Sequence, residues 1–246
     1  MSVLAEFSFW QLVATGLIFI WSGFVRSGLG FGGAALGLPF MLLVYNQPIF
    51  WIPLIGSHLL FFSGLTLSNR LHNVDWAYLA KSGKLILPAA IAGVFGLINL
   101  PNQLLLFFIY SVTLFYAVCW ALDRAIKSHR PWVDNLLLLI GGYVSGSSLT
   151  GAPLMIAVFM RNVPITKLRD TMFVLWFIIV TIKLITLFIL DVPLQTLAAI
   201  ALVPVATIGH ILGLKTHTYI MQHDTLFKRL IGLLLIVVCI GGLVQL

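Results

Sequence analysis

Two clusters of small and hydroxylated residues interrupt otherwise apolar stretches: Ser27-Gly28-Leu29-Gly30-Phe31-Gly32-Gly33, and Ser145-Gly146-Ser147-Ser148-Leu149-Thr150-Gly151. A helix interrupted in apolar surroundings leaves backbone amides and carbonyls that need a polar partner from protein, water or solute. Where a helix restarts, its first N–H groups and the positive end of its dipole favour an anion. Glycine lets such a ligand approach the backbone closely. The hydroxyls of Ser27, Ser145, Ser147, Ser148 and Thr150 add donors suited to oxyanion oxygens. The competing reading is helix packing, for which the Gly33/Gly37 and Gly209/Gly213 pairs have GxxxG spacing.

Three potentially cationic residues lie within the apolar stretches: Arg26 just before the first cluster, His58 and Lys183. Ionisable groups at membrane depth are functional candidates. None of the seven carboxylates (Glu6, Asp75, Asp123, Asp134, Asp170, Asp191, Asp224) falls in the middle of such a stretch. An anion is therefore the natural ligand, since positive charge and converging donors offset its desolvation. Each cation also has a structural reading: Lys183 snorkelling or donating to a carbonyl, His58 as a hydrogen-bonded core residue, Arg26 as a loop residue that fixes topology. An unperturbed histidine titrates near pH 6.5, so His58 suits orienting the ligand or shuttling a proton.

Other motifs carry less. Gly28-Leu29-Gly30-Phe31-Gly32-Gly33 satisfies GxGxxG, but no soluble strand precedes it and no acidic residue follows nearby, which excludes a dinucleotide fold. Ser147 or Ser148 with the distant His210 faintly suggests an intramembrane serine hydrolase. His72, His129, His217 and His223 fall in connectors at spacings that make no metal site. Cys119 and Cys239 lie in apolar segments, where packing accounts for them. No cofactor or metal is expected.

The elements that position these residues follow from composition. Of 246 residues, 61% are hydrophobic and 9% charged, against about 25% charged in a soluble globule. Such a chain needs a bilayer as solvent. At about 20 residues per span, eight spans take roughly 160 residues and leave no room for a soluble catalytic domain. The net charge of +7 reflects Lys and Arg retained in cytoplasmic loops rather than nucleic-acid binding. Residues 1–10 contain Glu6 and no basic residue, so no cleaved signal peptide is expected.

Long apolar runs bounded by charge or proline predict spans at 49–69, 76–98, 103–122, 169–190, 193–214 and 226–245, with interrupted elements at 8–45 and 133–160. Connectors around Lys81, Lys127, Lys167 and Lys215 are basic, whereas those at Gln47, Asn102 and Asp191 have no Lys or Arg. The basic ones face the cytoplasm, so the spans of the two halves run in opposite directions. The halves also correspond: Gly33 and Gly151 lie 118 residues apart, and Pro88 with Gly93 recurs 116 residues later as Pro204 with Gly209. Inverted duplication is characteristic of secondary transporters, with substrate held near the midplane by discontinuous helices. The single membrane domain, 1–246, thus divides into repeats at 8–123 and 133–246. The length of 133–160 favours a re-entrant hairpin over two crossings.

The stretch Gly30-Phe31-Gly32-Gly33 followed by Pro39, echoed by the cluster from Ser145 to Gly151 followed by Ala152-Pro153, resembles the sulfite exporter TauE/SafE family. The resemblance runs from about Trp10 to Leu246. It implies a bacterial inner-membrane permease for sulfite or organosulfonates, with Gly30, Gly32, Gly33, Gly151 and Pro153 at the core of the site. The second copy departs from the family pattern, with Ser147, Ser148 and Thr150 where glycine is usual, which leaves the substrate open.

The expected protein is an all-α polytopic membrane protein of two inverted repeats, each a broken or re-entrant helical hairpin plus three transmembrane helices. It is a transporter, not an enzyme, exporting small sulfur anions by alternating access at a site between the two Gly/Ser-rich motifs. Its partners are the anion and the bilayer, with a homodimer as an admissible assembly. An anion channel is the rival reading.

Overall fold

A computed structural model describes residues 3–29, 32–124 and 130–246. Among the described residues there are ten α-helices, two short 3-10 turns and no strand. The helices are α1 (Phe9–Leu29), α2 (Gly33–Val44), α3 (Pro48–Leu67), α4 (Trp76–Asn99), α5 (Asn102–Ala121), α6 (Pro131–Ser148), α7 (Ala152–Asn162), α8 (Ile165–Ile189), α9 (Thr196–Gln222) and α10 (Asp224–Val244). Seven of them, α1, α3, α4, α5, α8, α9 and α10, are long and apolar enough to cross a membrane. All six clean spans expected from hydropathy are present. Two have shifted ends. The α8 helix starts after Pro164, and α9 runs on through Lys215 and His217, because polar residues end hydropathy without ending helicity. His217 is therefore helical, not in a connector as the sequence suggests. His129 lies outside the described residues.

Each interrupted stretch forms a long and a short helix. The α1 and α6 helices have 21 and 18 residues, the returning α2 and α7 only 12 and 11. At about 1.5 Å per residue the short arms reach roughly 16–18 Å, well under the roughly 30 Å of a hydrocarbon core. The breaks fall at the ends of the Gly/Ser clusters rather than through them. Ser27 and residues 145–148 are still helical; the chain turns where φ becomes positive, at Gly32 (82°) and Leu149 (62°).

The chain packs as two compact units, Met1–Leu54 with Pro101–Ala125 and Gln195–Leu246, and Ile55–Leu100 with Ile126–Leu194. Neither unit coincides with a half of the sequence. In the first, α9 lies along α1 so closely that a Cβ on Gly209 would strike the carbonyl of Ile20 and one on Gly213 that of Phe24. Here the small-residue spacing serves packing, as GxxxG pairs do. The α2 helix returns along α1, with the Trp21 indole donating to Leu36 O (3.0 Å), Ser22 Oγ to Gly33 O (2.9 Å) and Gln11 Nε2 to Val44 O (3.1 Å). Pro39 inside α2 has no N–H for the carbonyl of Ala35. The buried Tyr116 hydroxyl of α5 donates to that oxygen instead, at 2.7 Å.

In the second unit α4 lies along α6 in the same fashion. A Cβ on Gly93 would strike the carbonyl of Tyr143, and one on Gly146 that of Ala90. Gly93 and Gly209, the pair related by 116 residues, thus do the same work against α6 and α1 respectively. The α6–α7 hairpin is closed by an ion pair between Asp134, in the first turn of α6, and Arg161, in the last turn of α7. Each charge sits at the helix end whose dipole favours it. The turn before α4 is tied to α8 by Asn73 Nδ2, which donates to Asp170 Oδ2 (2.7 Å) and Thr166 O (2.8 Å).

Candidate anion sites at the two helix breaks

In the second unit α6 ends at Ser148, Leu149 adopts the left-handed conformation, and Gly151 starts α7. A side chain at Gly151 has no room: a Cβ there would collide with Gly141 O and Ser145 Oγ. Pro153 occupies the first turn of α7, where its missing N–H costs nothing. Two hydroxyls expected to face a ligand are committed locally. Ser147 Oγ donates to Val144 O at 3.3 Å and Ser148 Oγ to the same carbonyl at 2.9 Å. With the Ser148 proton so used, Thr150 Oγ1, 2.6 Å away, donates to Ser148 Oγ. These bonds turn the hydroxyl protons back onto the protein.

The remaining polar groups at this break are Ser145 and Lys183. Lys183, six residues past the middle of α8, is 0% exposed, and its Nζ donates to Ser145 O at 3.0 Å. That carbonyl also accepts the Leu149 N–H, at 3.1 Å. Ser145 Oγ is fully buried and has no hydrogen-bond partner. No carboxylate forms an ion pair with Lys183 among the described residues. A long cationic side chain therefore ends at the α6–α7 break, held by one bond to a carbonyl that already has another donor. An ammonium has three donors, so this one can hold a ligand oxygen while keeping its protein bond. His58, 3% exposed, lies in the part of α3 belonging to the same unit, against the ring of Phe62. A Cβ added at Gly56, on the same helix, would come within 3.2 Å of Val180 and 3.4 Å of Leu184, so α3 passes close to α8 at the two residues that bracket Lys183.

In the first unit α1 ends at Leu29 and α2 begins at Gly33 after the left-handed Gly32. Gly30 and Phe31 lie outside the described residues. Arg26 is not a loop residue: it sits in the last turn of α1, 7% exposed, with its Cβ beside Gly33. Its charge suits that end of the helix dipole. Ser27, 2% exposed, pairs with His210 through Oγ and Nδ1 at 2.5 Å. One residue on, Gly28 O accepts from His217 Nδ1 at 2.6 Å. Both histidines belong to α9, and His210 pairs with Ser27 rather than with Ser147 or Ser148. Sequence reasoning missed these two. The signal was their spacing of seven residues, which puts both on one face of a helix, but it is visible only once α9 is known to continue through residue 217.

The structure thus brings Arg26, Ser27, Gly32 and Gly33 together at one break, and Ser145, Ser147, Ser148, Thr150, Gly151 and Lys183 at the other. A chain of apolar spanning helices, broken twice at points where buried basic and hydroxyl side chains of the adjoining helices gather, is a multi-pass membrane protein of the permease class. The sequence matches the family described as Sulfite exporter TauE/SafE over residues 15–241, and the chain belongs to that family. No curated protein and no solved structure matches it.

Proposed function

We propose that this protein is a secondary transporter that exports a small sulfur oxyanion, sulfite or an organosulfonate, across a bacterial inner membrane by alternating access. The observation that carries the reading is the buried Lys183 amine, bonded at 3.0 Å to the last turn of α6, at the break and with no carboxylate ion-paired to it among the described residues. A charge in hydrocarbon is costly and marks substrate paths. Lys183 supplies the charge, and Ser145 Oγ, on the residue whose carbonyl it holds, adds a hydroxyl for an oxyanion. Arg26 and Ser27 supply the corresponding groups at the other break, and His58 orients the ligand or carries a proton. The repeats 8–123 and 133–246 are read as inverted copies; the matching roles of Gly93 and Gly209 support this. Complete burial of residues 145, 147, 148, 150 and 183 favours an occluded carrier over an open anion channel.

The test is a thermal-shift screen of purified protein against sulfite, methanesulfonate, sulfate and chloride. A ligand at 100 times its Kd stabilises by about 2.7 kcal/mol, which for a chain of this size raises Tm by roughly 5–10 °C. Sulfite or the sulfonate should give that rise. Proteoliposomes should also accumulate the same anion against its gradient. Equal, negligible shifts for all four anions reject the reading, and flux that only dissipates gradients replaces the carrier by a channel.

A further inference from the structure

The two histidines of α9 meet consecutive residues of the first break, but their bonds differ in kind. Gly28 O is a carbonyl in the last turn of α1 and can only accept, so His217 Nδ1 carries the proton whether its ring is neutral or charged. His217 is a fixed cap on a carbonyl of the last turn of α1. Ser27 Oγ can donate or accept, and so can His210 Nδ1. With the proton on Nε2, His210 Nδ1 accepts the Ser27 hydroxyl proton, which then points away from any solute. When the ring gains a proton it is carried on Nδ1, which donates to Ser27 Oγ. The hydroxyl keeps its own proton and must turn it elsewhere. No covalent bond changes; one proton is added to the ring and one existing O–H is redirected.

We propose that His210 is the proton-coupling residue of this transporter: its protonation releases the Ser27 hydroxyl to donate to the anion. The inference rests on the anion-transport reading above. By linkage, a proton that improves anion binding is itself bound more tightly when the anion is present, so proton and anion share a cycle. The imidazole is the side chain whose ordinary charge change falls in the physiological pH range, and His210 is half-buried. The titratable groups on the helices packed against α9 are Arg26 on α1 and Asp224, Lys228, Arg229 and Cys239 on α10; α9 itself adds Lys215, His217 and Tyr219, and His223 follows its last residue. Asp224 is bonded to Lys228 at 2.6 Å, so the acidic group of that set is already paired. Arg26, next to Ser27, adds positive charge that an incoming anion offsets.

The experiment measures the Kd of methanesulfonate, whose own charge is constant over the range, by calorimetry from about pH 8 to about pH 5.5. The wild type should tighten about tenfold on acidification, the equivalent of one redirected hydrogen bond. His210→Asn should give a flat profile at the weak, high-pH value, and Ser27→Ala, which keeps His210 but removes the hydroxyl, should be flat as well. His217→Asn should keep the wild-type slope. A wild-type slope retained in both His210→Asn and Ser27→Ala overturns the coupling while leaving anion transport standing. Absence of binding to the wild type at every pH overturns the transport reading and the coupling with it. Should His210→Asn fail to fold, the Ser27→Ala profile decides alone.

Discussion

Replacing Lys183 by Met separates a functional charge from a structural one. Met keeps length and flexibility and fills the same channel between helices. In the wild type the amine makes one hydrogen bond, to Ser145 O, a contribution of about 1.5–3 kcal/mol for a charged donor. Against it stands the cost of a Lys in a membrane helix, about 2.5–3.5 kcal/mol. The lost bond leaves no orphan, because Leu149 N still donates to that carbonyl at 3.1 Å. The Met variant should therefore match the wild type or exceed it by up to about 2 kcal/mol, a Tm rise of at most about 8 °C. Anion affinity should fall about 10- to 100-fold, the loss of one charge-assisted bond. Thermal unfolding in detergent and calorimetric titration with sulfite read the two quantities on the same sample. A variant that is several kcal/mol less stable and binds as before would show that Lys183 is a structural tie, and the reasoning would fail.

Further expectations follow from the packing. Tyr116→Phe removes the donor that Ala35 O receives in place of the Pro39 N–H, at a cost of about 1–3 kcal/mol; adding Pro39→Ala, which restores the helix's own donor, should recover most of it in a double-mutant cycle. Recovery below a few tenths of a kcal/mol would disconnect the two residues. Gly151→Ala drives a Cβ into Gly141 O and Ser145 Oγ and should cost about 1–3 kcal/mol by overpacking, seen as a lower Tm. Gly241→Ala, whose Cβ would meet nothing within 4 Å, should instead stabilise α10 by about 0.5–1 kcal/mol; equal effects at both glycines would refute the steric argument.

Much was legible in the sequence. Hydropathy and charge were enough for a helical membrane protein, because a bilayer demands runs of apolar residues of a set length and admits few charges between them. The clusters at 27–33 and 145–151 marked the two breaks, because backbone turns inside lipid need small or polar residues. Their limits were not legible: Ser27 and residues 145–148 remain helical, since a Gly or Ser facing a closely packed neighbour is compatible with helix. Nor could residue type tell which hydroxyls are spent on Val144 O.

Partnership across the chain belongs to tertiary structure alone. That Lys183 ends on Ser145 O, that Tyr116 repairs the defect made by Pro39, and that His210 and His217 reach Ser27 and Gly28 all depend on contacts between residues 38 to 189 positions apart. Hydrophobic pattern states which segments leave water; it carries no information about which helix face meets which, because lipid-facing and helix-facing positions are equally apolar. Close backbone approach at glycines such as Gly93, Gly146, Gly209 and Gly213 selects α6 as the neighbour of α4 and α9 as the neighbour of α1, and with α9 the histidines that stand at the first break.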